Sequence, residues 1–271
     1  MNAIGSRILL VLALFLASTA GAAEYSDLYI IPVAGHAQGA NGTLWRSDVI
    51  LHNVQSAPVT IEIALVESGA AASAAPVSLE SALVLMPGET RTLPDVAARL
   101  GRNVMGALVL GGNMPFAVTS RTWAQRPGGR TLGQSVVPVA ITGTRDATTR
   151  VAVLPSLTSN AQQRSNVGVF LAASHAPFVA ELTFLAPDGA ANGSQLIVVN
   201  EEGMMHRQIA IPAAAAASTA VVRILQGDGI VVPYASTIDN TSAEALFVSG
   251  PVIAAGEGAR AMVMQELMAR E

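Results

Sequence analysis

Residues 45–51 (WRSDVIL) return as residues 163–169 (QRSNVGV), with Arg164 standing 118 positions after Arg46. Three more stretches repeat in the same order. Residues 61–69 (IEIALVESG) are echoed by 180–189 (AELTFLAPDG), where Glu62 corresponds to Glu181. Residues 106–110 (GALVL) match 220–224 (AVVRI), and 115–120 (PFAVTS) match 231–236 (VVPYAS). Chance alternation could supply one such match, but four in one order point to duplication. Each copy, at roughly 110 residues, is too long for a propeller blade or a solenoid rung and suits a complete sandwich domain.

Inside each copy the apolar period is two, not 3.6. Val49 and Leu51, then Ile61, Ile63 and Leu65, alternate with other residues, and short runs recur at 28–33, 81–86, 107–110, 116–119 and 135–139. Turn clusters separate them at 39–42 (GANG), 87–88 (PG), 111–113 (GGN) and 127–129 (PGG). Many short strands with frequent turns read as a sandwich or barrel rather than βαβ units. One helical segment, 94–100 (PDVAARL), is expected in a crossover, without a counterpart in the second copy. The fold class is therefore all-β: two tandem immunoglobulin-like β-sandwich domains, residues 28–142 and 150–254, joined by a linker at 143–149. The tail, 255–271, reads as a short helix with Ala261, Met264, Leu267 and Met268 on one face, with a final strand as the alternative.

Ahead of the first copy, Arg7 precedes an apolar run at 8–17 (ILLVLALFLA), and Ala20-Gly21-Ala22 fits a cleavage site. Residues 1–22 thus read as a signal peptide. The run falls short of the roughly 20 residues that span a bilayer, and no later stretch is long and apolar enough to do so. The expected location of the mature chain is secreted or periplasmic, with no membrane span.

Composition narrows the chemistry. The 271 residues carry a formal net charge of −4, with 51% hydrophobic and 13% charged residues. Disorder is excluded, and nucleic acid is not an expected partner. Without cysteine there is no disulfide, thiolate metal site or cysteine nucleophile. All 15 basic residues are arginine, so lysine-based chemistries are absent too.

The order W-R-S-D-V-x-L-x-N (45–53), L-x-P-G-E (85–89), S-R-T (120–122) and G-Q-S-V-x-P (133–138) resembles a class of largely uncharacterised exported bacterial proteins with tandem β-sandwich repeats. The resemblance covers nearly the whole mature chain and implies the fold, but it brings no catalytic residue. Leu171 replaces Asn53 in the second copy, and Thr237 replaces Arg121.

No G-x-S-x-G elbow occurs, and His36, His52, His175 and His206 lie in unlike contexts. His36 is expected in a glycine-rich loop and His52 on a strand near Asp48. Asp188-Gly189, Asp228-Gly229 and Asp239-Asn240 could offer calcium oxygens but equally fit plain turns. No metal site or cofactor is expected. The candidate binding residues are Trp45, Arg46, Asp48, Arg121 and Trp123. Arg46 and Asp48 share one face of a strand, and the two tryptophans, if exposed together, would form a docking or sugar-stacking patch. The expected function is a non-catalytic exported binding, adhesion or surface-display module. Its expected partner is a protein or polysaccharide of the envelope or matrix. Two alternatives remain: a periplasmic assembly chaperone acting by strand addition, and a hydrolase gathering His36 or His52 with Asp48.

Overall fold

The computed structural model describes residues 25–269 except 40–41, 102, 126–128, 130, 143–149, 212–217, 243 and 257. The expected signal peptide and linker lie outside the described residues. The fold is all-β with two sheets. The first half contributes β1 (Ser26–Gln38), β2 (Leu44–His52), β3 (Val59–Glu67), β4 (Val77–Ser78), β5 (Leu83–Leu85), β6 (Thr90–Leu93), helix α1 (Val96–Leu100), β7 (Val104–Gln125), β8 (Thr131–Ser135) and β9 (Val139–Ala140). These strands form a nine-stranded sheet whose path runs β4-β3-β7-β1-β2-β6. The second half contributes β10 (Val151–Leu154), β11 (Gln163–Leu185), β12 (Ala191–Val199), β13 (Gly203–Ala210), β14 (Thr219–Asp239), β15 (Ala245–Ser249), β16 (Ile253–Ala255) and the tail helix α2 (Gly258–Met268). Its seven-stranded sheet follows β10-β14-β11-β12.

Long bent strands carry each sheet around a corner. The first part of β7 pairs with β3, from Glu67↔Gly106 to Ile61↔Gly112. The second part pairs with β2, from His52↔Ala117 to Leu44↔Gln125. The expected turn at 111–113 is therefore a bend within one strand. Gly112 permits it because a Cβ there would stand 2.9 Å from the Phe116 ring, and Asn113 Oδ1 accepts the Thr60 N–H at 3.0 Å. Likewise Asp228-Gly229, read as a turn, lies within β14.

The same ladder recurs in both halves. Ser47 sits opposite Thr122 and Ser165 opposite Thr237, with hydroxyl oxygens 2.9 and 2.6 Å apart. Arg121 faces Asp48, and Ser236 faces Asn166. Ser236, not Thr237, thus occupies the place of Arg121; the sequence match was one residue out, which in a strand reverses the face. Where the first half breaks between β2 and β3, buried Asn53 donates to the Ala57 and Leu85 carbonyls and accepts from the Gln55 N–H. In the second half β11 runs straight through that place, so Leu171 needs no such bonds and points into the core.

Three apolar cores follow from the alternation. Ile31, Leu51, Ile63 and Leu110 belong to a first-half core, and Val167, Leu171, Leu182 and Val231 to a second-half core. The opposite faces of the same strands meet in a third: Leu28, Ile30, Ala64, Val66, Ala107 and Val109 pack with Phe170, Ala172, Met204, Ile230 and Val232. Strands buried on both faces read as continuous apolar runs. Helix α2 fills the edge of this third core with Ala259, Val263 and Leu267. The expected stripe is corrected here: Ala261 and Met268 are exposed. Docking against Gly111, where an added Cβ would meet Leu267 and Met264, sets the rotation of the helix.

Two buried polar groups seal this junction. His206 Nε2 and Tyr234 Oη lie 2.8 Å apart with the rings stacked, and the Gly69 N–H donates to the His206 carbonyl at 3.0 Å. Tyr234, a second-half residue, packs in the first-half core. A Cβ on Gly168 would stand 2.0 Å from Tyr234 Cζ. Gly168→Ala is expected to destabilise the protein by about 2 kcal/mol or more, measured by chemical denaturation.

Burial pushes the His206 imidazole down to about 4; the Pro32 carbonyl opposes this and the Arg207 charge adds to it. Folded His206 therefore stays neutral while the unfolded chain takes up a proton below about 6.5. The unfolded state binds more protons between these values, so stability falls as pH drops from about 6.5 to about 4. The loss is on the order of 3 kcal/mol. Melting temperatures across that range should fall less steeply in His206→Gln than in the wild type.

Candidate binding sites

The repeated Arg-Ser-Asp begins β2, and period-two geometry turns Arg46, Asp48 and exposed Ile50 outward while Trp45, Ser47 and Val49 face the other way. Register with β7 sets Trp123 opposite Arg46 and Arg121 opposite Asp48. Asp48 is the hub. Its Oδ2 accepts Arg121 Nε at 2.8 Å and Trp123 Nε1 at 3.0 Å, with Arg121 Nη2 2.7 Å away. Its Oδ1 accepts the Asp95 N–H at 2.9 Å. Burial alone would raise this carboxyl, but the Asp95 N–H, the Arg121 guanidinium and the Trp123 indole outweigh it and hold it below the usual carboxylate range.

Asp95 extends the network and was not singled out in the sequence. It sits just before α1 in a left-handed conformation, φ 47°, and its carboxylate does not cap the helix. Instead it takes His36 Nδ1 at 2.9 Å and lies 3.6 Å from Arg46 Nε. His36 is therefore part of β1, not a loop residue. His52 contacts Thr90 Oγ1 at 2.8 Å rather than Asp48. Both guanidiniums lie against the Trp123 ring, with Arg46 Cζ 5.3 Å and Arg121 Cζ 5.9 Å from its centroid.

Beside this cluster opens a cleft of about 740 Å³ lined by Asp48, Ile50, Thr119, Arg121, Trp123 and Gln134 among others. Of the five candidate residues, Arg46, Asp48, Arg121 and Trp123 come together here, and Arg121 is two-thirds exposed. Trp45 does not join them. The two tryptophans project from opposite faces and form no common patch.

Trp45 lines a second pocket, of about 390 Å³, between the halves. There it meets Gln134, Arg164, Asn166, Gln208 and Ser236. Gln134 Nε2 donates to Ser236 Oγ at 3.3 Å, while its buried Oε1 has no partner. Arg164 is steadied by Asn240, whose Oδ1 accepts from Nη1 at 2.5 Å. The repeated Arg-Ser-Asp/Asn thus serves two settings, an open cleft in one half and the junction pocket in the other.

No family model matches the sequence, and no curated protein matches it. Among solved structures, the chain is similar to a putative beta-galactosidase from Bacteroides fragilis at 11% identity and TM-score 0.18, over 83% of this chain and 32% of that one. A glycosyl hydrolase family 2 member from Bacteroides cellulosilyticus matches at 7% and 0.18, over 76% and 28%. The infectious bursal disease virus VP2 subviral particle matches at 10% and 0.19, over 88% and 69%. The chain spans about a third of the length of the two hydrolase structures. At these TM-scores the likeness carries no argument about function.

Among the described residues no group of three or more His, Asp or Glu side chains is placed to hold a metal ion. Nor, among them, is any helix long and apolar enough to cross a membrane. The hub sets the energetic expectation. Asp48→Ala removes the shared acceptor of the Asp95 N–H, the Trp123 indole and the Arg121 guanidinium and should cost roughly 2–4 kcal/mol. Arg121→Ala, removing an exposed partner, should cost less than about 1 kcal/mol. Urea unfolding of both variants tests the difference.

Proposed function

We propose that the protein is a non-catalytic exported binding module whose ligand is a polyhydroxylated chain, such as a segment of envelope or matrix polysaccharide, held in the junction pocket. The single observation that carries this reading is the convergence of Trp45, Gln134, Arg164, Asn166 and Gln208 on one space of about 390 Å³. An indole supplies a flat apolar wall, and amides with a guanidinium supply planar donors and acceptors for ligand hydroxyls. The size falls within the usual range for small-ligand pockets. The Gln134 Oε1, buried without a partner, is an acceptor that a ligand hydroxyl would satisfy. The charged groups of the outer cluster support a non-catalytic role, because Asp48 and Asp95 are committed to one another, to His36 and to the arginines. Residues 1–22 support export, and the recurrent ladder supports an origin by duplication of an immunoglobulin-like unit.

The strand-addition alternative has one observation in its favour. β12 ends the second sheet and exposes Leu196 and Val198. Its first five residues, Ala191-Asn192-Gly193-Ser194-Gln195, are poor in apolar side chains, so the hydrophobic edge is short.

An array of bacterial envelope and matrix polysaccharide fragments, followed by titration calorimetry, tests the proposal. The mature wild type should retain at least one fragment. Trp45→Ala and Asn166→Ala should each weaken binding about tenfold, equal to roughly 1.4 kcal/mol. Binding to no fragment, or equal binding by both variants, would overturn it.

A further inference from the structure

The two halves meet through faces that do not correspond. Matching the ladders pairs β1 with β10, β2 and β3 with the two parts of β11, β6 with β13, and β7 with β14. In the third core the first half presents the outer face of β1, β3 and the start of β7, whereas the second half presents that of β11's start, β13 and the end of β14. Contact between unlike faces of like units is heterologous, and repeating it builds an open array rather than a closed pair.

Each half is consequently left with the face that its counterpart has buried. On the second half this is the outer side of β10-β14-β11-β12. Val151 and Val153 occupy the ladder places of Leu28 and Ile30, fully buried in the first half, yet they are 42% and 50% exposed. Leu196 and Val198 extend the same face, 57% and 47% exposed. Glu181, half-buried, lies among them opposite Arg223. On the first half the free face is the outer side of β6-β2-β7-β8. It holds the 740 Å³ cleft, Ile50 at 41% exposure and the exposed Arg121.

We infer that these two free faces bind each other between copies of this chain. The first half of one molecule stacks on the second half of the next by the arrangement that already joins the halves within each chain. The occupant is named by that continuity. The sheet face equivalent to Val151/Val153 is covered, inside the chain, by the sheet face equivalent to Ile50/Arg121. Arg121 keeps exposed donor surface on one face, and the opposing face sets Glu181 beside Arg223 among its apolar residues. The result is a head-to-tail filament, a form suited to a displayed or matrix protein. The junction pocket shares only Gln134 with the cleft on that face, and Trp45 lines only the pocket, so assembly and ligand binding are separable.

Sedimentation velocity and light scattering of the mature protein across a concentration series test it. The wild type should grow past the mass of a dimer without reaching a closed size. Ile50→Glu blocks one face and Val153→Glu the other, both at exposed sites, and unchanged circular dichroism and melting would show that the fold is kept. Each variant alone should stay monomeric. Mixed in equal amounts, the two should form a dimer and stop, because one intact face of each kind remains. A wild type that is monomeric at its highest soluble concentration would overturn the inference. So would a closed dimer sensitive to Val153→Glu but not to Ile50→Glu, or a mixture that fails to pair. Trp45→Ala should leave assembly unchanged, which separates this outcome from loss of ligand binding.

Discussion

Everything else in the molecule depends on the apolar contact between the two sheets. Leu28, Ile30, Ala64, Val66, Ala107 and Val109 are buried against Phe170, Ala172, Met204, Ile230 and Val232. Because these strands also line the core of their own half, they are buried on both sides. That double burial explains a chain of 51% hydrophobic and only 13% charged residues. Polar groups are few at the contact, and His206 bonds there through Nε2 to the Tyr234 hydroxyl. Without the contact, Tyr234 would leave the first-half core, α2 would lose its seat, and the junction pocket would lose one wall.

The polar cluster around Asp48 obeys a different logic. Its carboxylate gathers a backbone N–H, a guanidinium and an indole, and Asp95 continues the chain of contacts to His36 and Arg46. This network fixes the start of α1 to the ends of β1 and β2 and braces the wall of the open cleft. Its carboxylates are consumed in holding the scaffold, while the exposed surface of Arg121 and the neighbouring hydroxyls remain outward.

Much of the fold was legible because strand periodicity is local. Val49, Leu51, Ile61, Ile63 and Leu65 alternate as β2 and β3 do, and α1 and α2 appear where the helical segments stood. The shared face of Arg46 and Asp48 followed from spacing alone. Residues 111–113 misled, since Gly-Gly-Asn is common in turns but here eases a bend around Phe116. The alignment of Arg121 with Thr237 erred by one residue, because ladder register depends on partners distant in sequence. Asp95 escaped notice for the same reason: its role exists only where α1 meets β1 and β2.

The sequence by itself determined the all-β class, the recurrence of the Arg-Ser-Asp/Asn strand start and the absence of thiol and lysine chemistry. These are properties of side-chain pattern and composition, which need no knowledge of what lies across the sheet. Tertiary structure alone decided that Trp45 and Trp123 part company, that Asp48 becomes a hub, and that unlike faces of the halves join. Each of those outcomes turns on cross-strand register and on which face a neighbouring sheet covers. Nothing in the local order of residues specifies either.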